Sequence, residues 1–386
     1  MSLSDRLKAG TSERGSNLRK ELYEKYGVAR NPFPPAGEPS DHPHKETAAE
    51  ELIITGIKTF ERDHTSQVFL IEGTQGVGKT NLLNYFQSEL QAYYDNSDGF
   101  YIIRYYPDPE ASFDGIIRRL FQEFHQVGLL AKVAHGLAEQ TPVKQQEVID
   151  VAFSHEVRLV LAKLSEAATK GEDQLGSVCE MAFEWLSGLR VLNKHREALG
   201  IHFRLDSVES KTQALRDLVF CSSRLRLFNG IFLLLDELEK QDYSLSKTVV
   251  LRFLSAIRAL IDALPQHLFL LVALTIEARR RYFSMLPALA GRLQNVVELK
   301  PIKSAEEALE IAQFYIIAAR KRAVEDLGVA NKKSGATPLL KDGEVRDLFQ
   351  QLLRRATERA QEGVTQRDFL NALHFAVEKI FSSHTV

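Results

Sequence analysis

The sequence predicts an α/β protein: a parallel sheet with helices on both faces, a long helical insertion and an all-helical C-terminal segment. Three observations carry this. Short apolar runs alternate with helical patterns between residues 67 and 299. One of those runs leads straight into a glycine-rich turn. Residues 130–228, and everything after Ser304, show helical periodicity and no strand pattern. Strands that alternate with helices bury both faces of a parallel sheet.

Each element follows from its residues. Residues 1–30 are charged and helix-prone, and end near Tyr26-Gly27. Asn31-Pro32-Phe33-Pro34-Pro35-Ala36-Gly37 is too proline-rich to be helical. Residues 1–44 are therefore expected to be an arm and linker, and 45–63 an amphipathic helix. Gln67–Glu72 (QVFLIE) is too short for a helix and reads as a buried parallel strand. Asn81–Tyr94 is helical, with Leu82, Leu83, Phe86 and Leu90 on one face. Phe100–Tyr106 is a second strand, closed by Pro107-Asp108-Pro109, and a helix follows at Phe113–Phe124. Ile231–Leu235 is the third strand. A helix covers Ser246–Ala263, Pro265 breaks it, and Leu268–Thr275 is the fourth strand. Val296–Leu299 is a short fifth. Helices are expected at 304–325, 343–361 and 366–381. Gly328 and Asn331–Thr337 separate the first two, and Gly363 separates the last two. The expected organisation is thus an α/β core over 45–302, with its insertion at about 130–228, and a helical lid over 303–386.

The chain has 386 residues and is 44% hydrophobic, enough for two or three structural units. Its 49 Lys+Arg nearly balance 51 Asp+Glu, so the overall field announces neither nucleic acid nor an acidic membrane. The only cysteines, Cys179 and Cys221, have no metal-type spacing and read as reduced core thiols. The N-terminus MSLSDRLKAG lacks an apolar signal region, and no apolar run is long enough to span a bilayer. A cytoplasmic protein with no membrane partner is expected.

Gly73-Thr74-Gln75-Gly76-Val77-Gly78-Lys79-Thr80 is a complete G-x-x-x-x-G-K-T motif. Glycines let the backbone curl so that its N–H groups point at phosphates. The following helix adds the positive end of its dipole. Lys79 would reach the β- and γ-phosphates of ATP, and the Thr80 hydroxyl would hold Mg²⁺. At ordinary Gly, Lys and Ser/Thr usage, a chain this long matches by accident roughly one time in a hundred. A strand before the motif and a helix after it are the context the motif needs.

Ile231-Phe232-Leu233-Leu234-Leu235-Asp236-Glu237 is an apolar strand ending in two carboxylates. Asp236 would hold the metal opposite Thr80. Glu237 would polarise the attacking water. Acids are common at solvated strand ends, so the pattern gains its meaning from the cradle upstream. Glu239 is a nearby acid with no assigned role.

Cradle, Asp-Glu strand, the next strand and the helical tail together resemble the AAA+ ATPases, over roughly residues 26–381. More narrowly they resemble the origin-recognition and initiator branch and its bacterial relatives. The resemblance implies that Thr275 holds the sensor 1 position, where Asn is commoner. It implies that Arg292, within Leu289-Ala290-Gly291-Arg292-Leu293-Gln294, is an arginine finger reaching a neighbouring subunit's γ-phosphate. It implies that Arg367, within Gly363-Val364-Thr365-Gln366-Arg367-Asp368-Phe369, is the sensor 2 arginine; the Gly-Asp pair typical of initiators is absent. Arg279, Arg280 and Arg281 could form a subunit contact, a DNA contact or a solvated face, and the last is favoured.

Trp185-Leu186-Ser187-Gly188, followed by the Asp236-Glu237-x-Glu239 strand end, is similar to ATPases of bacterial phage-defence loci, notably those of BREX systems. Trp185 is equally expected to pack in a core. Two departures stand out. The helical stretch before Asp236 is far longer than an AAA+ core needs, so a separate helical subdomain is expected. The chain is also expected to end with the lid, without the winged-helix domain that initiators usually add.

The leading functional expectation is an ATPase that forms a homo-oligomer with shared active sites. It would act on DNA or a DNA-processing partner, in phage defence on the narrower resemblance. Two alternatives stand beside it. One is a low-turnover ATP-dependent scaffold or signalling switch whose insertion binds a partner protein. The other is a transposition-type regulator that coats DNA.

Overall fold

The computed structural model describes residues 25–35, 42–95, 98–106, 112–189, 191–243, 245–327 and 338–383. The helical expectation for residues 1–24, the Pro107–Pro109 stop and the Gly328–Thr337 breaker lie outside them. The chain divides into two compact units. One comprises Ala48–Glu72 and Leu83–Glu298. The other comprises Met1–Thr47, Gly73–Leu82 and Leu299–Val386.

The first unit is built on one parallel five-stranded sheet in the order β2-β3-β4-β1-β5. The strands are β1 (Gln67–Glu72), β2 (Phe100–Tyr105), β3 (Gly230–Leu235), β4 (Leu268–Leu274) and β5 (Asn295–Glu298). Every residue of β3 and β4 is buried, as expected of central strands covered on both faces. β1 lies between β4 and β5, with Glu72 level with Leu274. β3 pairs β4 with Leu235 level with Val272. All strands run the same way, so Glu72 and Asp236 both leave the sheet at its carboxyl edge.

Strand side chains alternate between faces. One face carries Phe69, Phe100, Phe232 and Phe269. The helix Ala48–Asp63 packs Phe60 against the last three, with ring centroids 5.3–6.0 Å apart. Each such buried ring contributes about 1.5–3 kcal/mol of apolar burial. Gly230 belongs where it does because a Cβ there would meet Phe60 at 2.4 Å. The other face carries Leu70, Ile103, Leu233 and Leu270, continuous with a core shared by the helices Phe113–Gln126 and Lys247–Ala263 and the insertion. Between β2 and β3, the described residues form seven helices from Phe113 to Arg224, as the periodicity predicts. Trp185 is fully buried, and its indole N–H donates to the Phe203 carbonyl at 3.1 Å. It packs a core. Cys179 and Cys221 are free and buried, and burial pushes their thiols up to about 11 and 12.

The second unit has its own apolar core. It joins Phe33, Tyr315, Phe349 and Phe369 across the helices Ala305–Leu327, Asp342–Glu358 and Gln366–Ser383. The proline-rich segment read as linker is packed here. Phe33 is fully buried, Asn31 donates to His374 O and Glu378 Oε1 (3.1 Å each), and His374 Nδ1 lies 2.7 Å from Phe33 O. Ile302 and Val364 form an antiparallel bridge that fixes the start of the last helix. Among the described residues, no helix is long and apolar enough to cross a membrane.

Candidate functional site

The cradle begins at Gly73, one peptide bond beyond the end of β1. Gly76 and Gly78 have φ of +85° and +108°, the left-handed region that side chains resist. These two residues let the loop curl and enter the helix Lys79–Tyr93, whose first turn carries no acid. An acid there would repel an anion at the positive helix end. Lys79 is folded onto the loop: its ammonium donates to the carbonyls of Gly73 (2.8 Å) and Thr74 (3.1 Å). A basic group, a curled backbone and an acid-free helix start fit the phosphates of a nucleotide.

The start of the last helix meets this loop. The Arg367 backbone N–H donates to the Gly76 carbonyl at 2.9 Å. A Cβ on Gly78 would lie 2.6 Å from Gln366 Oε1. Thr365 caps the helix by accepting from the Asp368 N–H at 3.1 Å. The Arg367 side chain itself is exposed. The resemblance thus singles out a residue whose backbone touches the cradle. The neighbouring Gln366 was not singled out.

The acidic strand end is built differently. Asp236 is 1% exposed. Its Oδ2 accepts from Arg104 Nη2 at 2.7 Å, and its Oδ1 accepts from the Glu237 N–H at 2.9 Å. Strand alternation explains the meeting: positions 100, 102 and 104 of β2 share a sheet face with positions 232 and 234 of β3, and Asp236 continues that series. The donor set for Mg²⁺ expected at Thr80 and Asp236 is therefore not open at Asp236. Both of its oxygens are engaged, and the carboxylate has no exposed face. Among the described residues, no three His, Cys, Asp or Glu side chains cluster as a metal site. The carboxylate of Glu237 is partly exposed and paired with Lys240, and its backbone has φ of +53°. The hydrogen bond that the Lys240 ammonium donates to the Glu237 carboxylate pushes the lysine's pKa above its ordinary value.

Thr275 caps the helix Ile276–Met285, accepting from the Ala278 N–H at 3.2 Å. Arg279, one turn along, pairs with Glu72 at 3.0 Å, and Glu72 is buried at the end of β1. The solvated-face expectation therefore fails for Arg279, because Glu72 needs a counter-ion at the strand end. Arg280 and Arg281 are exposed. Arg292 bonds Asp262 on the helix Lys247–Ala263 at 2.9 and 3.4 Å. Arg258 lies 3.7 Å from the same carboxylate.

Sequence reasoning missed Arg104. Its signal was a lone charge in the apolar run FYIIRYY, at a position that periodicity buries.

No family model matches the sequence, and no curated protein matches it. Among solved structures the chain is similar to the ORC2 protein of Aeropyrum pernix, solved as ADPNP–ADP complexes. The identity is 13% and the TM-score 0.41, over 90% of this chain and 72% of that one. It is also similar to Cdc6p from Pyrobaculum aerophilum, at 14% identity and a TM-score of 0.37, over 87% and 68%. The phage-defence resemblance gains no support from either.

Proposed function

We propose that the chain is an ATP-binding P-loop ATPase of the AAA+ type. The observation that carries this is the cradle: an unbroken motif between a buried parallel strand and a helix, with two glycines in left-handed conformations and Lys79 turned onto the loop. Each residue has one role. The backbone N–H groups of Gly73–Thr80 bind phosphate oxygens. Lys79 exchanges its carbonyl partners for the β- and γ-phosphates and neutralises their charge. Glu237 accepts a proton from water and orients it for in-line attack. Thr275 and Arg367 supply polar contacts to the phosphates. A bound Mg²⁺ would supply charge neutralisation at the phosphates, and the Thr80 hydroxyl is the oxygen that would hold it. No step is assigned through Asp236, which is closed by Arg104.

Arg292 is proposed to act in a neighbouring copy, giving a homo-oligomer that works on DNA or a DNA-processing partner. Mass measurement with a non-hydrolysable ATP analogue and duplex DNA tests this. Assembly of a hexamer or heptamer supports it, and a monomer under all conditions refutes it. DNA contact would appear as binding that falls steeply with salt.

A second reading is favoured by the two ion pairs at the strand end. With Asp236 held by Arg104 and Glu237 held by Lys240, the chain would be a low-turnover ATP-dependent switch or scaffold. Steady-state hydrolysis separates the two. For the ATPase, Glu237→Gln keeps ATP binding and lowers turnover by about 100-fold or more. Equal turnover by wild type and Glu237→Gln would remove Glu237 from the chemistry.

A further inference from the structure

The helical insertion holds one phenylalanine out in water. Phe203 is 73% exposed, yet the backbone around it is fixed from three sides. The His202 N–H donates to Glu156 Oε2 at 2.9 Å, and Glu156 is buried on the helix His155–Ala168. The His202 carbonyl accepts from Arg196 Nη2 on the helix Asn193–Leu199. The Phe203 carbonyl accepts from the indole of the buried Trp185, on the helix Glu172–Leu186. A loose loop would turn such a ring inward, because removing it from water is favourable. Here the strap of residues 200–206 is tied down with the ring outward. Its neighbours His202 and Arg204 are exposed as well. Residues 188–205 contain Arg190, Lys194, Arg196 and Arg204 against one acid, Glu197, with Asp206 just beyond. Among the described residues, neither Lys194 nor Arg204 is engaged in an ion pair. The acid before this stretch, Glu184, is taken up by His195 at 3.1 Å. The lobe is therefore positive in a chain whose net charge is −2.

We propose that this strap is a contact for single-stranded nucleic acid, with a base stacked on Phe203 and phosphates held by Lys194 and Arg204. The proposal rests on the reading of the chain as an ATPase that works on DNA, and it names the surface and the form of the strand. A displayed ring beside unpaired cations suits a single strand, whose bases have free stacking faces and whose backbone supplies the charge. In a duplex the bases are already stacked on one another, so a lone ring finds no face to meet. An acidic peptide would engage the same cations with little use for a flat ring. The occupants therefore differ in what Phe203 contributes. Leu192, 55% exposed on the same lobe, offers apolar surface to the sugars.

The test is fluorescence anisotropy of a labelled oligothymidylate with the full chain and a saturating non-hydrolysable ATP analogue. Phe203→Ala should weaken binding about tenfold, the loss of one stacked base. Phe203→Trp should bind at least as tightly as wild type. Lys194→Ala combined with Arg204→Ala should weaken binding and flatten the slope of log affinity against log salt by about 1.4. All three side chains are exposed, so melting temperatures should stay within about 1 °C of wild type. A duplex of the same length should bind more weakly and should not register Phe203→Ala. Tighter binding of the duplex overturns the proposal. So does binding that follows the charges but ignores Phe203, which is what an acidic-peptide surface would give. Strand binding unchanged in every variant overturns this surface and leaves the DNA reading standing. If wild type holds the analogue but binds neither form of DNA at low salt, the DNA reading fails, and this proposal with it.

Discussion

The cradle and the acidic strand end both follow apolar strands of one sheet, yet they are made of different materials. The cradle is backbone: two glycine conformations, a run of N–H groups and a lysine bonded to carbonyls five and six residues away. The strand end is side-chain chemistry from distant sequence. Arg104 is paired to Asp236 across 132 residues, and Arg279 is paired to Glu72. A site made of local backbone can lose function without losing stability. A site made of buried charge pairs is expected to lose both.

Substitution at the strand end should have the largest effect on folding. Asp236→Ala leaves the Arg104 guanidinium buried and unpaired, at a cost of about 3–5 kcal/mol. Denaturant unfolding would register this as a lower midpoint at unchanged slope. A loss below about 1 kcal/mol would mean that the pair is not the buried ion pair described. Gly78→Val forces a β-branched residue to φ of +108° and should cost about 1–3 kcal/mol of local strain, read as weaker ATP binding. Unchanged affinity would break the claim that the cradle works through its backbone shape. Arg279→Ala uncovers a buried Glu72, but Arg279 is itself half-exposed, so water can replace it. About 1–2 kcal/mol of stability is expected. Arg292→Ala removes a solvent-exposed pair with Asp262, worth about 0–1 kcal/mol. Turnover by the assembled protein should nonetheless collapse if this arginine acts in a neighbour. Normal turnover in an intact oligomer would discard that role.

The same contrast explains what the sequence made legible. β3 and β4 read clearly because continuous apolar runs bounded by glycine, proline or acid have little else to be. The insertion read as helical because its periodicity is long and unbroken. Small shifts came where local signals overlap. The helix after the cradle begins at Lys79, not Asn81, because the motif's own Lys and Thr form its first turn. β5 spans Asn295–Glu298, one residue earlier than expected, with Asn295 Nδ2 bonded to Val68 O at 3.1 Å. Strand order was not legible, since β1 pairs β4 and β5 through contacts more than 190 residues apart in the register Gln67 to Phe269. Nor was the packing of Phe33 and Asn31, where prolines announced irregular backbone but not the core that receives it. Arg104 was the costliest omission. Its burial followed from strand alternation, but its partner followed only from which strand lies next to β2.

Everything proposed for this chain depends on the cradle holding ATP through Lys79. Calorimetric titration of ATP into wild type and Lys79→Ala tests that most directly. The variant is expected to keep its melting temperature within about 1 °C, because Lys79 is only partly buried and bonds its own loop. Its affinity should fall by about 100-fold or more, a loss of roughly 3 kcal/mol from removing a charge-assisted phosphate contact. Equal affinities in two equally folded proteins would contradict the account.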